Sequence, residues 1–220
     1  MKSPDMHRLR LMLWGLAAAA AVAFAGLSAY RWLASPNPAI APDTLRQSPI
    51  ELGGPFVLTD HTGKRVSESD FAGRPLLIYF GFTFCPDICP TTLQIVGQAL
   101  DLLGAEVERV QPLFVSLDPA RDSPAVLADY VRNFHPRLVA LTGSEQEIRD
   151  MAKAYRVYYA KVENPDAPAD YSIDHLSIVY LVAPDRRLLR HFTHGTSAEA
   201  MAEGIKSALA ATEDPLKVGR

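Results

Sequence analysis

The sequence contains only two cysteines among its 220 residues, Cys85 and Cys89. Two cysteines cannot build the disulfide framework that stabilises small secreted proteins. A chain of this length, with 48% hydrophobic residues, can bury one full core without such a framework. We therefore expect the cysteine pair to carry chemistry rather than to stabilise the fold.

Basic clusters are also missing. The chain has 22 Lys and Arg against 25 Asp and Glu, for a net charge of −3, and no basic stripe follows the extreme N-terminus. This balance gives no electrostatic footprint for DNA or RNA, so nucleic acid is excluded as a partner. Internal repeats and methionine-rich patches are absent as well, which leaves the cysteines as the main soft ligands.

One long uncharged run stands near the N-terminus. Residues 11–30 contain no charged side chain, and basic residues of 1–10 precede them. The run is long enough to cross a bilayer, and the positive-inside rule keeps 1–10 in the cytoplasm. We predict a single-pass anchor at 11–33 in the inner (cytoplasmic) membrane, with the C-terminal domain in the periplasm. The rival interpretation is a cleaved signal peptide, because Ala23-Phe24-Ala25 resembles a cleavage site. In both interpretations the domain that follows this segment is exported from the cytoplasm.

The rest of the chain divides by composition. Residues 34–49 carry four prolines and no apolar periodicity, which predicts an extended linker. Residues 50–212 carry the periodic patterns of a folded domain, and 213–220 form a short tail. Strands are predicted at 56–60, 64–66, 76–82, 112–117, 138–141, 157–162, 177–182 and 188–192. Helices are predicted from Leu93 to Leu103 and at 123–134, 144–155 and 197–211. This alternation, after an initial hairpin, predicts an α/β sheet of mixed strand direction with helices on both faces.

The two cysteines lie between a strand and a helix, in the segment GFTFCPDICPT. Ligands of α/β sheets bind beyond the carboxyl ends of the strands, and backbone N–H groups at a helix start lower a thiol pKa. A four-residue spacing places both sulfurs on one helical face, and we expect both to point outward. A structural disulfide, a redox couple and a soft-metal site all remain open, with Cu(I) the leading soft ion.

A third copper ligand would come from the histidines. His175 follows Asp174 and leads into the strand at 177–182, so the neighbouring carboxylate is expected to orient its ring. A hydrogen-bonded structural histidine is the alternative. The other histidines are less suitable by position, and they are His7, His61, His135, His191 and His194.

Three blocks of this sequence together resemble the Sco/SenC family. They are GFTFCPDICPT, SLDPARDSP from Ser116, and DHLS from Asp174. The resemblance covers about 50–212 and implies a thioredoxin-like fold in a tethered copper-binding protein that assists cytochrome c oxidase assembly. It also implies copper ligation by Cys85, Cys89 and His175. The aspartate of the second block, Asp118, is sometimes linked to the metal site or to partner transfer in this family, and turn capping is its other interpretation.

Two functions follow from this resemblance. A metallochaperone would receive copper from another copper carrier and pass it to the oxidase subunit with the dinuclear copper centre. Cu(I) suits the thiolates, and Cu(II) suits an imidazole with a water or carboxylate. A thiol–disulfide oxidoreductase would instead reduce the copper-ligand cysteines of that subunit through a mixed disulfide. A thioredoxin-like peroxidase is a third, weaker alternative. Metal ligation needs His175, whereas thiol exchange needs only the sulfurs.

Overall fold

The computed structural model describes residues 14–15, 18–19, 22–27, 52–163 and 171–213. The chain divides into two units, Met1–Arg46 and Gln47–Arg220. In the first unit the described residues are helical, and within them no helix is long and apolar enough to cross a membrane. Most of the predicted anchor lies outside the described residues, as do 1–10, the linker 34–49 and 214–220.

The second unit is built on a seven-stranded mixed sheet. Its strands in chain order are β1 (Val57–Asp60), β2 (Arg65–Ser67), β3 (Leu76–Gly81), β4 (Gln111–Ser116), β5 (Val139–Thr142), β8 (Ile178–Val182) and β9 (Leu188–Thr193). They lie side by side in the order β2-β1-β5-β4-β3-β8-β9. The pairs β3–β4 and β4–β5 are parallel and the others antiparallel, which confirms the predicted mixed sheet and its N-terminal hairpin.

The two central strands explain why their sequences are continuously apolar. Every residue of β3 and β4 is buried, so both faces of the sheet are covered, as predicted. Parallel strands of this kind require crossover helices. The carboxyl ends of β3 and β4 therefore open on the same edge of the sheet, with Gly81 opposite Ser116.

Among its described residues the unit has four α-helices, α1 (Ile88–Leu103), α2 (Pro124–Val131), α3 (Glu145–Ala154) and α4 (Ala198–Glu213), and two short 3-10 helices, Glu68–Phe71 and Gly104–Arg109. Gly104 ends α1 with a φ of 59°, a conformation that favours glycine. Ser144 and Glu147 form the predicted capping box of α3. The predicted extension of α2 to Phe134 was wrong. The side-chain Nδ2 of Asn133 donates to the Asp129 and Tyr130 carbonyls and closes the helix, which ends at Val131.

A separate two-stranded sheet was only half predicted. Strand β6 (Tyr159–Glu163) pairs in antiparallel fashion with β7 (Tyr171–His175), and His175 lies opposite Tyr159. The sequence patterns gave no strand at β7 and placed His175 at the entry to the core strand. That prediction was wrong: His175 ends β7, and β8 begins only at Ile178.

Candidate metal and thiol site

The cysteine loop joins the end of β3 to the start of α1. Cys85 lies in the loop, and Cys89 lies in the first turn of α1. Gly81 makes room for Cys89, because a Cβ at Gly81 would stand 2.9 Å from both the Cys89 Sγ and the Phe114 ring. The close approach of strand and helix therefore depends on a residue without a side chain.

The two thiols differ in exposure, which corrects the expectation that both sulfurs point outward. Cys89 has an exposed fraction of 0%, whereas Cys85 is half-buried. Both are free thiols in this structure. The buried position of Cys89 follows from its place on the inner side of α1, over the central strand. Only Cys85 is directly available to a reagent or partner.

The thiols also differ in acidity. The Cys89 side chain, followed by the backbone N–H groups of Cys89, Asp87 and Ile88, stabilises the Cys85 thiolate, which lowers the pKa of Cys85 to about 5. The Cys89 N–H lies 3.3 Å from the Cys85 Sγ. The neighbouring Cys85 side chain, together with burial, raises the pKa of Cys89. At neutral pH the pair consists of one thiolate and one thiol.

His175 lies beside the buried thiol. Its Nε2 is 3.7 Å from the Cys89 Sγ, although 86 residues separate the two in the chain. Its Nδ1 lies 3.2 Å from the Leu176 carbonyl oxygen, which can only accept, so Nδ1 carries the proton and Nε2 presents its lone pair to the sulfur. Burial lowers the pKa of His175 and keeps the ring neutral. The predicted orienting role of Asp174 was wrong, because that residue is exposed and the backbone carbonyl orients the ring.

Aromatic and hydroxyl groups support this arrangement. The His175 ring packs edge-on against Phe82 and Tyr79, with centroids 6.0 and 6.3 Å away. The Tyr79 hydroxyl donates to the Cys89 Sγ over 3.5 Å and lies 3.2 Å from the Ser177 hydroxyl. Sequence reasoning did not single out Tyr79. The available signal was a tyrosine within an otherwise apolar buried strand, where its hydroxyl needs a polar partner.

Three further sequence candidates, His61, His135 and Asp118, have partners other than the cysteines. His61 accepts a hydrogen bond from the Ala140 N–H, and His135 lies 3.5 Å from Asp101. Asp118 is buried and pairs with Arg121 and Tyr171. Within the part of the chain that the structure describes, no three or more His, Cys, Asp or Glu side chains are drawn close enough to hold a metal ion.

The fold and the site define a class of protein. It is a thioredoxin-like α/β domain in which an acidic thiol (Cys85), a buried thiol (Cys89) and a neutral imidazole (His175) lie together at the end of the central strand. Family comparison narrows this class. The chain belongs to the SCO1/SenC family, whose sequence profile matches residues 45–210.

Individual relatives agree with this placement. The human protein SCO1 homolog, mitochondrial, is 47% identical over 156 residues, which is 70% of this chain and 52% of the human protein. The crystal structure of Arabidopsis thaliana ScoI with copper bound has a TM-score of 0.67 and 39% identity, covering 72% of this chain and 98% of that one. BsSco, described as a member of the Sco family of cytochrome c oxidase assembly proteins with a disulfide switch, has a TM-score of 0.59 and 28% identity over 74% of this chain and 97% of that one.

Proposed function

We propose that this protein is a copper metallochaperone that holds copper through Cys85, Cys89 and His175. It delivers the metal to the cytochrome c oxidase subunit that carries the dinuclear copper centre. The observation that carries the proposal is the neutral His175 imidazole, with its lone pair directed at the sulfur of Cys89 over 3.7 Å. Solved structures of similar proteins with copper bound support the choice of metal.

The distance between the Cys89 Sγ and the His175 Nε2 is suitable for joint binding of one metal ion. With the bond lengths that zinc makes to sulfur and nitrogen, about 2.3 and 2.0 Å, two ligands of a trigonal ion stand about 3.7 Å apart. The observed Sγ–Nε2 distance is 3.7 Å. Copper binding then requires the Cys85 side chain to draw closer to this pair than it stands here. Because Cys85 is half-buried rather than enclosed, such a movement needs no opening of the core.

Charge and protonation favour Cu(I). Two thiolates and one Cu(I) leave a net charge of −1, which the N–H groups at the start of α1 stabilise. Cys85 is already ionised at neutral pH, whereas Cys89 is not. Loading therefore displaces the Cys89 proton, and affinity rises with pH. Soft thiolates select Cu(I), while the imidazole also suits Cu(II).

The location belongs to the proposal. The segment 11–33, which contains the uncharged run 11–30, anchors the chain in the inner membrane. Residues 34–49 act as the linker, and 50–212 form the copper-binding domain in the periplasm, with 213–220 as a tail. Another copper carrier supplies the metal there. Partner cysteines reach the exposed face of Cys85 first, so transfer proceeds by stepwise exchange of ligands.

A thiol–disulfide reductase is the second candidate, and the unequal thiols favour it. The Cys85 thiolate attacks one sulfur of a partner disulfide and forms a mixed disulfide, releasing the other sulfur as a thiolate. Cys89 then gives its proton to the released partner thiolate and attacks the Cys85 sulfur, which breaks the mixed disulfide and expels the second partner sulfur as a thiolate. The partner leaves with two reduced cysteines, and Cys85–Cys89 becomes the disulfide. The disulfide switch described for BsSco supports such chemistry in a similar protein.

A Cu(I) titration separates these candidates. The reduced full-length protein, purified in detergent, competes with a chromophoric Cu(I) chelator, and His175→Ala is compared with the exposed control His191→Ala. One tightly bound equivalent in wild type and in the control, with at least tenfold weaker binding by His175→Ala, supports the metallochaperone. Equal, feeble binding by all three proteins refutes it. Retained reduction of a peptide disulfide in that case leaves the reductase as the better account.

A further inference from the structure

The strand that carries His175 is not part of the main sheet. In the described residues, β7 pairs only with β6, and neither strand joins the seven-stranded sheet. The C-terminal end of β7 is tied to the main sheet by the two-residue link to β8, whereas side-chain contacts hold its start beside the cysteine loop. Tyr171, Ile173 and His175 alternate along β7 and share the face that is turned toward the domain, where Ile173 is buried.

Arg121 connects β7 to the cysteine loop. Its guanidinium carbon lies 3.7 Å from the centre of the Tyr171 ring and 4.7 Å from the centre of the Phe84 ring. Phe84 immediately precedes Cys85, and Tyr171 begins the strand that His175 ends. One planar cation thus contacts both segments that carry the proposed copper ligands.

Polar contacts fix the orientation of this cation. Its Nε bonds to the Asp118 carboxylate, and its Nη1 donates to the Tyr171 carbonyl over 3.1 Å. The Tyr171 hydroxyl donates to the same Asp118 carboxylate over 2.9 Å. Asp118 and Arg121 are largely buried, with exposed side-chain fractions of 4% and 14%. The contacts form a closed ring of three residues that pins the start of β7 to the end of β4.

Arginine is specifically suited to this place. A guanidinium can stack on aromatic faces while its edge donates hydrogen bonds, whereas a lysine ammonium keeps the charge but loses the planar stack. The Arg121 Nη2 is buried, and among the described residues it has no hydrogen-bond partner. The guanidinium is therefore held by stacking on the Tyr171 and Phe84 rings and by the polar contacts of Nε and Nη1, and not by Nη2.

We propose that Arg121 is a positioning residue that fastens β7 to the cysteine loop, and so sets the His175–Cys89 distance on which copper affinity depends. This inference rests on the proposed function, because it acts through copper ligation by His175. Asp118 takes part by orienting Arg121 and Tyr171 rather than by touching copper. Phe84 has an exposed fraction of 55% and covers the outer face of the cation.

The test is a double-mutant cycle on Cu(I) affinity in the full-length protein. Arg121→Lys is measured alone and in the His175→Ala background. Arg149→Lys is the control, since the Arg149 guanidinium forms exposed hydrogen bonds to Glu145 and Gln146 on α3. Residues that orient a metal ligand typically contribute about 10- to 100-fold in affinity. We expect Arg121→Lys to weaken binding about tenfold in the wild-type background and less than about twofold when His175 is absent.

Each outcome has a defined meaning. Unchanged affinity in Arg121→Lys refutes the inference while leaving the proposed function intact, provided that His175→Ala still binds weakly. An equal loss in both backgrounds also refutes it, because Arg121 would then act on the thiols or on the fold. Should Arg121→Lys unfold, Tyr171→Leu removes one ring and leaves the Arg121–Asp118 pair, and the same cycle applies. Equal, feeble binding by wild type and His175→Ala overturns the proposed function and this inference with it.

Discussion

Replacing Gly81 by alanine places a methyl group against the buried sulfur of Cys89. The new Cβ would stand 2.9 Å from the Cys89 Sγ, 2.9 Å from the Phe114 ring and 3.3 Å from the Tyr79 ring. Non-bonded heavy atoms prefer a separation of about 3.5 to 4.0 Å, so the start of α1 must shift outward by at least about half an ångström. The adjoining rings are buried and cannot turn away freely.

The shift has a cost in stability. Overpacking of this kind typically lowers the free energy of unfolding by about 1 to 3 kcal/mol. For a protein of about 150 to 250 residues, each kcal/mol corresponds to about 2 to 4 °C in Tm. We therefore expect Gly81→Ala to lower Tm by about 2 to 12 °C in thermal unfolding followed by circular dichroism.

The shift also changes the acidity of the exposed thiol. The Cys89 side chain contributes most to stabilising the Cys85 thiolate, and its displacement weakens that interaction. A hydrogen bond to a charged group is worth about 1.5 to 3 kcal/mol, or about 1 to 2 pH units. The pKa of Cys85 should rise from about 5 toward its ordinary value of 9.0. The pH dependence of alkylation by iodoacetamide measures this directly.

The matched control is Gly97→Ala on the same helix. A Cβ there would lie 3.5 Å from the nearest neighbour, His135, which is ordinary contact. Alanine is also the better helix former, by about 1 kcal/mol, so this variant should be as stable as wild type or more so. A Gly81→Ala protein with the Tm and alkylation midpoint of wild type would refute the close-packing argument.

Three further predictions concern the same domain. Arg65, with the Ser144 N–H, holds the pKa of Glu147 at about 2, against 4.5 in the unfolded chain. Glu147→Gln should therefore lower the free energy of unfolding at neutral pH, by only about 1 kcal/mol because the Arg65–Glu147 pair is partly exposed. In urea titrations the difference from wild type should vanish as pH falls from 4.5 to about 2. Asp122→Ala removes the acceptor of the Ser116 and Thr83 hydroxyls and should lower the free energy of unfolding by about 3 kcal/mol in the same assay; a loss below 1 kcal/mol contradicts the network. Cys85→Ser leaves only the buried Cys89, so mass spectrometry should find no alkylation before denaturant is added, and rapid alkylation of the native variant would contradict that burial.

Local patterns were sufficient for much of the domain. The continuous apolar run from Leu76 predicted a doubly covered central strand, and the structure buries every residue of β3. The serine and glutamate at 144 and 147 predicted a capped helix, and the capping box is present. These predictions succeed because strand burial and helix capping depend on residues a few positions apart.

The site was predictable only in part. The proline-flanked cysteines before a helix predicted a thiolate at the helix start, and the N–H groups there do lower the pKa of Cys85. The inequality of the two sulfurs was missed, because it depends on the space that Gly81 leaves and on the Tyr79 hydroxyl beneath Cys89. Neither contact has a periodic signature in the sequence.

By itself the sequence determined the α/β class, the central strand, the position of the thiols at its end and the motifs by which the family is identified. Only the tertiary structure decided that Cys89 is buried, that His175 ends a separate strand with its lone pair toward that sulfur, and that Arg121 lies between the two ligand-bearing segments. The physical reason is the range of the interactions. Capping and amphipathic burial act between neighbours in the chain, whereas the contact of residues 89 and 175 exists only after the sheet, the helix and the second strand pair have packed together.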